Sequence, residues 1–221
     1  MKVKVISYSK PLISNDNSTE TMLVEDLVAY CARVSNPANQ NTNENNERLI
    51  KYLIRNKHWS PFEMVSVCLE IETTRDIARQ LLRHRSFSFQ EFSQRYAIAD
   101  LGFETREARL QDKKNRQNSI VTDDETLMDE WALKQQEVIE ASKTAYNWAI
   151  SNGIAKEQAR SVLPEGNTTS RLYVNGTLRS WIHYIQLRSS CETQKEHREL
   201  ACECAEQIKT VFPLIMDFVS K

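Results

Sequence analysis

Glycine and proline are scarce, with 4 and 5 in 221 residues. So little of either excludes a collagen-like chain or a low-complexity disordered one. No run of 18 apolar residues occurs, so no segment has the pattern of a transmembrane helix. The opening stretch MKVKVISYSKPLIS lacks an apolar core of signal-peptide length. The expectation is a cytoplasmic protein with no membrane partner. Neither sign of charge dominates: 29 Lys and Arg stand against 30 Asp and Glu, a net charge of -1. A protein living on nucleic acid usually carries a basic excess, so no nucleic-acid partner is expected.

Several catalytic signatures are also missing. There is no GxGxxG or Walker A loop, hence no Rossmann or P-loop nucleotide site. The four histidines (58, 84, 183 and 197) show no HExxH or HxH spacing, and no metal site is expected. The five cysteines are an odd set without a disulfide framework and read as reduced thiols. Cys202 and Cys204 point about 200° apart on a helix, wrong for shared ligation. No cysteine stands in a nucleophile setting.

With 40% hydrophobic residues the chain can bury a core, and residues 1–221 read as a single domain. Lys2 to Tyr8 and Met64 to Thr73 alternate as strands do. Helical spacing marks Met22 to Val34, Glu47 to Lys57, Arg75 to His84, Glu125 to Ser151, Lys156 to Val162, Thr177 to Arg188 and Lys195 to Val211. A further strand is placed at Thr168 to Val174. On the long helix, Leu127, Trp131, Val138, Ala145 and Trp148 form the apolar stripe. Residues 100–123 read as a ligand loop or a disordered one. Strands are few and do not alternate regularly with helices. The expected class is α+β, an antiparallel-type sheet with several helices packed around it, not a Rossmann fold.

What is abundant is cationic and local. The run RHRSFSFQEFSQR places Arg83, His84, Arg85, Ser93 and Arg95 within one short span, preceded by Arg75, Arg79 and Gln80 on an apolar frame. On a continuous helix Gln80, Arg83 and His84 fall at i, i+3 and i+4 and share a face. Guanidiniums and hydroxyls grouped in this way hold phosphate oxygens. Taken alone, an RHR is a solvated helix end. Here Phe87, Phe89 and Phe92 interleave it, and partly buried arginine needs an anionic partner. Only Asp76 and Glu91 lie between Arg75 and Arg95, so the cations outnumber their acidic neighbours and favour a ligand. Three more segments matter: HWSPFE (58–63), ARSVLP (159–164) and LRSWIHYIQLR (178–188). In the last, Leu178, Trp181, Ile182 and Ile185 form the buried stripe, and Arg179, His183 and Gln186 form a polar line. His197, in QKEHRE, is expected on a solvated helix face.

Together these four segments resemble flavin-dependent thymidylate synthases. RHR followed by seven residues and Ser93 is that family's hallmark, and the other three segments are similar to its remaining motifs in order and spacing. Met64, Gln90, Thr177, His183 and His197 depart from the family's usual residues. So does the interval from Arg160 to Thr177, one residue longer than in some members. The resemblance implies reductive methylation of dUMP to dTMP, with methylenetetrahydrofolate as carbon donor and NADPH-reduced FAD as hydride source. By position it implies Gln80, Arg83, Glu91, Ser93, Arg95, Arg160 and Arg188 for dUMP, with Arg188 catalytic beside the uracil. It implies Ser60, Arg83, His84, Arg85, Glu91, Thr177, Arg179 and His183 for FAD. It also implies a homotetramer with active sites between subunits. Arg179 and Arg188 are nine residues apart, about 180° on one helix, and are expected to serve two different sites. A nucleic-acid-binding module and a non-catalytic flavin or nucleotide binder are the competing readings of the same residues.

Overall fold

The computed structural model describes residues 1–12, 23–39 and 45–220. Its main sheet has four strands in the order β1 (Lys2–Tyr8), β2 (Ser66–Thr74), β6 (Thr169–Thr177) and β3 (Ser88–Glu91), all antiparallel. Two short strands, β4 (Arg109–Gln111) and β5 (Ser119–Val121), make a separate hairpin. The helices are α1 (Val24–Ala32), α2 (Asn46–Arg55), α3 (Arg75–Leu81), α4 (Glu125–Ser151), α5 (Lys156–Ala159), α6 (Leu178–Arg188) and α7 (Lys195–Ile208). The α+β class with an antiparallel sheet is as the sequence pattern implied.

The centre of the sheet follows from period-two patterning. Val67, Leu69 and Ile71 of β2 are fully buried, as are Leu172 and Val174 of β6, while Glu70, Glu72 and Arg171 take the other face. The two strands pair along their whole length, from Ser66↔Thr177 to Thr74↔Thr169. On the apolar face, α6 and α7 deliver Leu178, Trp181, Ile182, Ile185, Leu200, Ala201 and Ile208 into one core with α1, α2 and Phe62. Trp181 is completely buried, and its indole N–H donates to the Val67 carbonyl at 3.0 Å, which satisfies its one polar group.

Each central strand runs directly into a helix, β2 into α3 and β6 into α6. Because the strands are antiparallel, these junctions lie at opposite ends of the pair. Thr177 caps α6, its hydroxyl accepting from the Ser180 N–H at 3.3 Å. The chain after α3 returns to pair with β6 as β3, which brings the 82–87 turn against α6.

Three expectations need correction. The helix predicted over Arg75 to His84 ends at Leu81; Arg83, His84 and Phe87 then bond back to Gln80, Leu81 and His84 as turns. The ring of Phe87 holds this turn, packed on Trp181 at 4.5 Å and Tyr184 at 5.8 Å between ring centres. Gly176 makes room for it, since a Cβ there would overlap the Phe87 ring. Of the two readings of residues 100–123 the disordered one does not hold, since the segment carries the β4–β5 hairpin. Phe103 bridges to Thr168, and Arg106 donates to Thr74 and Asp76. On α4 the stripe of Leu127, Trp131, Val138, Ala145 and Trp148 faces solvent, while Gln135, Ile139, Ser142, Tyr146 and Ala149 are buried. The helix predicted from Met22 is observed from Val24; Met22 lies outside the described residues.

Candidate active site

Three clusters hold most of the residues singled out from sequence, while the exposed side chains of Arg83 and Arg85 make no hydrogen bond or ion pair among the described residues. The first surrounds Glu91 at the end of β3. Its carboxylate lies 3.4 Å from Arg75 and 3.7 Å from Arg79 and accepts from the Ser170 hydroxyl at 2.9 Å. Arg79 also pairs with Glu165 at 2.8 Å, and Arg95 with Glu157 at 3.4 Å. Burial lowers the Arg75 pKa from its ordinary value; Glu91 opposes this, and the charges of Arg79 and, more weakly, of Arg160 on the turn after α5 add to it. The local count of carboxylates therefore understated the acid supply, because Glu157 and Glu165 arrive from the far side of the chain. Even so, Arg83, Arg85 and Arg160 have no carboxylate partner among the described residues, and Arg83 and Arg85 are exposed. Ser93 is half-buried, its hydroxyl accepting from the Arg95 N–H at 3.4 Å.

The second cluster joins α3, the 82–87 turn, α6 and α7. Arg188, at the end of α6, donates its Nε–H to His84 Nε2 at 3.0 Å. His84 must therefore carry its proton on Nδ1. Burial, then the Arg188 charge, push its pKa down to about 4, so the ring is neutral at pH 7. Its edge meets Tyr184 at 5.0 Å between ring centres. Gln80 sits on the same side, its Nε2 donating to Gln194 Oε1 at 2.8 Å and its Oε1 lying 3.2 Å from His197 Nδ1. His197 is 0% exposed, which corrects the expectation of a solvated position. The signal was in the sequence, because Leu200, Ala201, Cys204, Ala205 and Ile208 follow at i+3, i+4, i+7, i+8 and i+11.

The third cluster lies at the start of α6. Arg179 pairs with Glu63, and His183 meets Trp59 edge-on at 5.1 Å between ring centres. Ser60 is exposed on the Ser60–Met64 turn and lines a cavity of about 390 Å³ with Tyr30, Cys31, Val34, Pro61 and Met64. Trp59 and Glu63 were absent from the residues expected at the site, although both belong to the HWSPFE segment. Arg179 and Arg188 of one chain thus contact different clusters, as their helical separation implied.

The chemistry of these groups suits anions. The positive charge of Arg188 is not compensated by its partner, a neutral imidazole, and both terminal nitrogens are without a hydrogen-bond partner among the described residues. The acidic partners of Arg95 and Arg179 are about half exposed, and such pairs contribute under about 1 kcal/mol. A phosphate can displace them at little cost. Exposed guanidiniums without carboxylate partners among the described residues suit phosphate-bearing ligands.

Comparison with known proteins identifies the family. A family model described as "Thymidylate synthase complementing protein" matches residues 19–214. The chain is 49% identical over 215 residues to the "Probable flavin-dependent thymidylate synthase" of Paramecium bursaria Chlorella virus 1, covering 97% of each chain. It is 50% identical over 215 residues to the "Flavin-dependent thymidylate synthase" of Synechocystis sp., again covering 97% of each. Among solved structures it is similar to the UMP/dUMP methylase PolB from Streptomyces cacaoi bound with 5-Br dUMP. That match has a TM-score of 0.82 and 25% identity, over 98% of this chain and 93% of that one. The chain belongs to the thymidylate synthase complementing proteins, the family of the flavin-dependent thymidylate synthases.

Proposed function

We infer that this chain converts dUMP to dTMP by reductive methylation, with methylenetetrahydrofolate as carbon donor and NADPH as the source of reducing equivalents. The observation that carries the reading is Arg188 held by neutral His84, beside guanidiniums that no carboxylate neutralises. FAD, when bound, supplies the hydride.

The protein contributes position and charge. Arg83, Arg95, Arg160 and Ser93 hold the dUMP phosphate, and Gln80 and Arg188 face its base. Glu91, tied to Arg75 and Arg79, joins these residues in holding dUMP. Arg188 stabilises negative charge developing at uracil N3 and the neighbouring oxygens, a contribution of about 3 kcal/mol to the barrier. A carboxylate in place of His84 would quench that charge; an imidazole kept neutral by burial orients the guanidinium without quenching it. For FAD, Arg85 and Arg179 take the diphosphate, and Ser60, Arg83, His84, Glu91, Thr177 and His183 line the rest.

The reading includes a cytoplasmic homotetramer of single-domain chains with active sites at subunit interfaces. Support comes from the solvent-facing apolar stripe of α4, where Trp131 is 43% and Trp148 63% exposed. Among the described residues no helix is long and apolar enough to cross a membrane. The test is dTMP formation with dUMP, FAD, NADPH and methylenetetrahydrofolate, then with each omitted in turn. Product should appear only in the complete mixture, from a yellow protein. A colourless protein that binds single- or double-stranded nucleic acid instead would favour the binding-module reading.

A further inference from the structure

His197 is a poor choice for a core position. It is completely buried, and its Nε2 has no hydrogen-bond partner among the described residues. An orphaned buried nitrogen of this kind destabilises the fold, whereas an aliphatic side chain on the same stripe of α7 would not. What the imidazole provides is Nδ1, 3.2 Å from Gln80 Oε1.

The direction of that bond is forced from the other end of a chain of side chains. Arg109 of the β4–β5 hairpin pairs with Glu196. Burial works against ionisation of Glu196. The Gln194 amide, its own backbone N–H and Arg109 outweigh that effect and hold its pKa below the ordinary value. An ionised carboxylate can only accept. Gln194 must therefore give its Nε2–H to Glu196, at 2.9 Å, and present Oε1 to Gln80. Gln80 must give its Nε2–H to that oxygen, at 2.8 Å, and present its own Oε1 to His197. His197 is left to donate from Nδ1, the tautomer that leaves Nε2 bare. Burial, Arg188 and His84 keep the ring neutral, consistent with one proton on it.

We propose that His197 is a positioning residue for dUMP. Its Nδ1–H, with Gln194 opposite, fixes which end of the Gln80 carboxamide is oxygen and which is nitrogen where the nucleotide binds. This rests on the reading of Gln80 as a dUMP contact. Gln80 uses one N–H and one oxygen lone pair internally. One of each remains, pointed in directions the protein has already chosen, so no amide rotation has to be arrested on binding.

Two substitutions separate this from a packing role. His197→Asn keeps an N–H near the Nδ1 position but leaves a gap. His197→Leu fills the space and removes the orphaned nitrogen together with the donor. The FAD-loaded protein with His197→Leu should bind dUMP about fivefold more weakly by calorimetry, the effect of one hydrogen bond. Its KM for dUMP should rise in step, with kcat within twofold and thermal stability not lowered. His197→Asn should bind dUMP within twofold of wild type while melting at a lower temperature. Affinity and stability thus rank the variants in opposite orders. Affinity that follows melting temperature across the pair, or unchanged binding in His197→Leu, overturns the proposal. Nitrogen-15 spectra of histidine-labelled protein provide a ligand-free arm. His197 should appear as the Nδ1–H tautomer, and an Nε2–H tautomer overturns the lock even if dTMP synthesis is found. A wild-type protein with the Nδ1–H tautomer that neither binds dUMP nor makes dTMP would instead refute the functional reading beneath it.

Discussion

Lowering the pH from 7 to 5 should remove about 3 kcal/mol of folding stability, with His84 and His197 as the main cause. Burial and the Arg188 charge push His84 from the ordinary 6.5 down to about 4. Burial, Arg188 and His84 push His197 down to about 3. Above pH 6.5 both rings are neutral whether the chain is folded or not, and neither contributes a pH dependence. Below it the unfolded chain binds a proton at each histidine that the folded chain refuses. Stability therefore falls with pH until the folded values near 4 and 3 are reached. Each such group costs about 1.4 kcal/mol per pH unit once well below 6.5, or about 1.8 kcal/mol between pH 7 and 5. His84 is only partly buried, and discounting its share for solvent screening gives the total of about 3 kcal/mol.

Other groups act elsewhere or weakly in this window. His183 is lowered too, by burial and Arg179, but it is exposed and well screened. Glu72, lowered chiefly by its bond to Arg171, loses its contribution only as pH falls below 4.5. Glu25 is raised by burial and gives a small offset of opposite sign. The measurement is urea unfolding at pH 7, 6 and 5, at one protein concentration because assembly adds to apparent stability. His197→Leu should lose about half as much on acidification as wild type. A stability that is flat from pH 7 to 5, or a variant as acid-sensitive as wild type, would refute the claim that these rings are held neutral.

Two further substitutions address the site itself. Arg188→Ala should lower kcat by about a hundredfold or more, the equivalent of about 3 kcal/mol, with the melting temperature nearly unchanged. A rate within tenfold of wild type would remove Arg188 from the chemistry. Gly176→Ala should destabilise the protein by about 1–3 kcal/mol, because the new Cβ meets the Phe87 ring where Trp181 and Tyr184 already confine it. Phe87 closes the turn that begins at His84, so dTMP formation measured well below the melting temperature should fall as well. A variant with wild-type stability would show that the ring moves freely.

Much of the fold was legible because the central elements carry one uninterrupted period each. The alternation in β2 and the stripe of Leu178, Trp181, Ile182 and Ile185 in α6 fixed both type and facing. What escaped depends on partners distant in sequence. Nothing local stops α3 at Leu81; the turn exists because Phe87 packs under residues roughly ninety positions on. The hairpin at 109–121 has little apolar character and is tied down by Arg106 and Arg109 to Asp76 and Glu196. The surplus of cations was right in kind but too large, since Glu157 and Glu165 neutralise part of it from far along the chain. A heptad-like stripe on α4 reads the same whether it covers the chain's own core or another surface. His197 was legible from helical spacing but obscured by its charged neighbours in QKEHRE.

The geometry of α6 links the proposed chemistry to the proposed assembly. Its two ends present Arg179 to Glu63 beside Trp59 and His183, and Arg188 to His84 beside His197. Nine residues of helix turn these arginines to opposite sides, and the buried residues between them rule out rotation of the helix to bring both to one side. On the proposed reading both arginines are needed around a single flavin and its substrate. A centre assembled from one chain would then lack one of them. Two copies of α6 contributing opposite ends would supply both. The apolar stripe left outside on α4 is a surface that such copies can bury. On that reading catalysis and association are one requirement, and Trp131 and Trp148 on the exposed face of α4 mark a surface the assembly would bury.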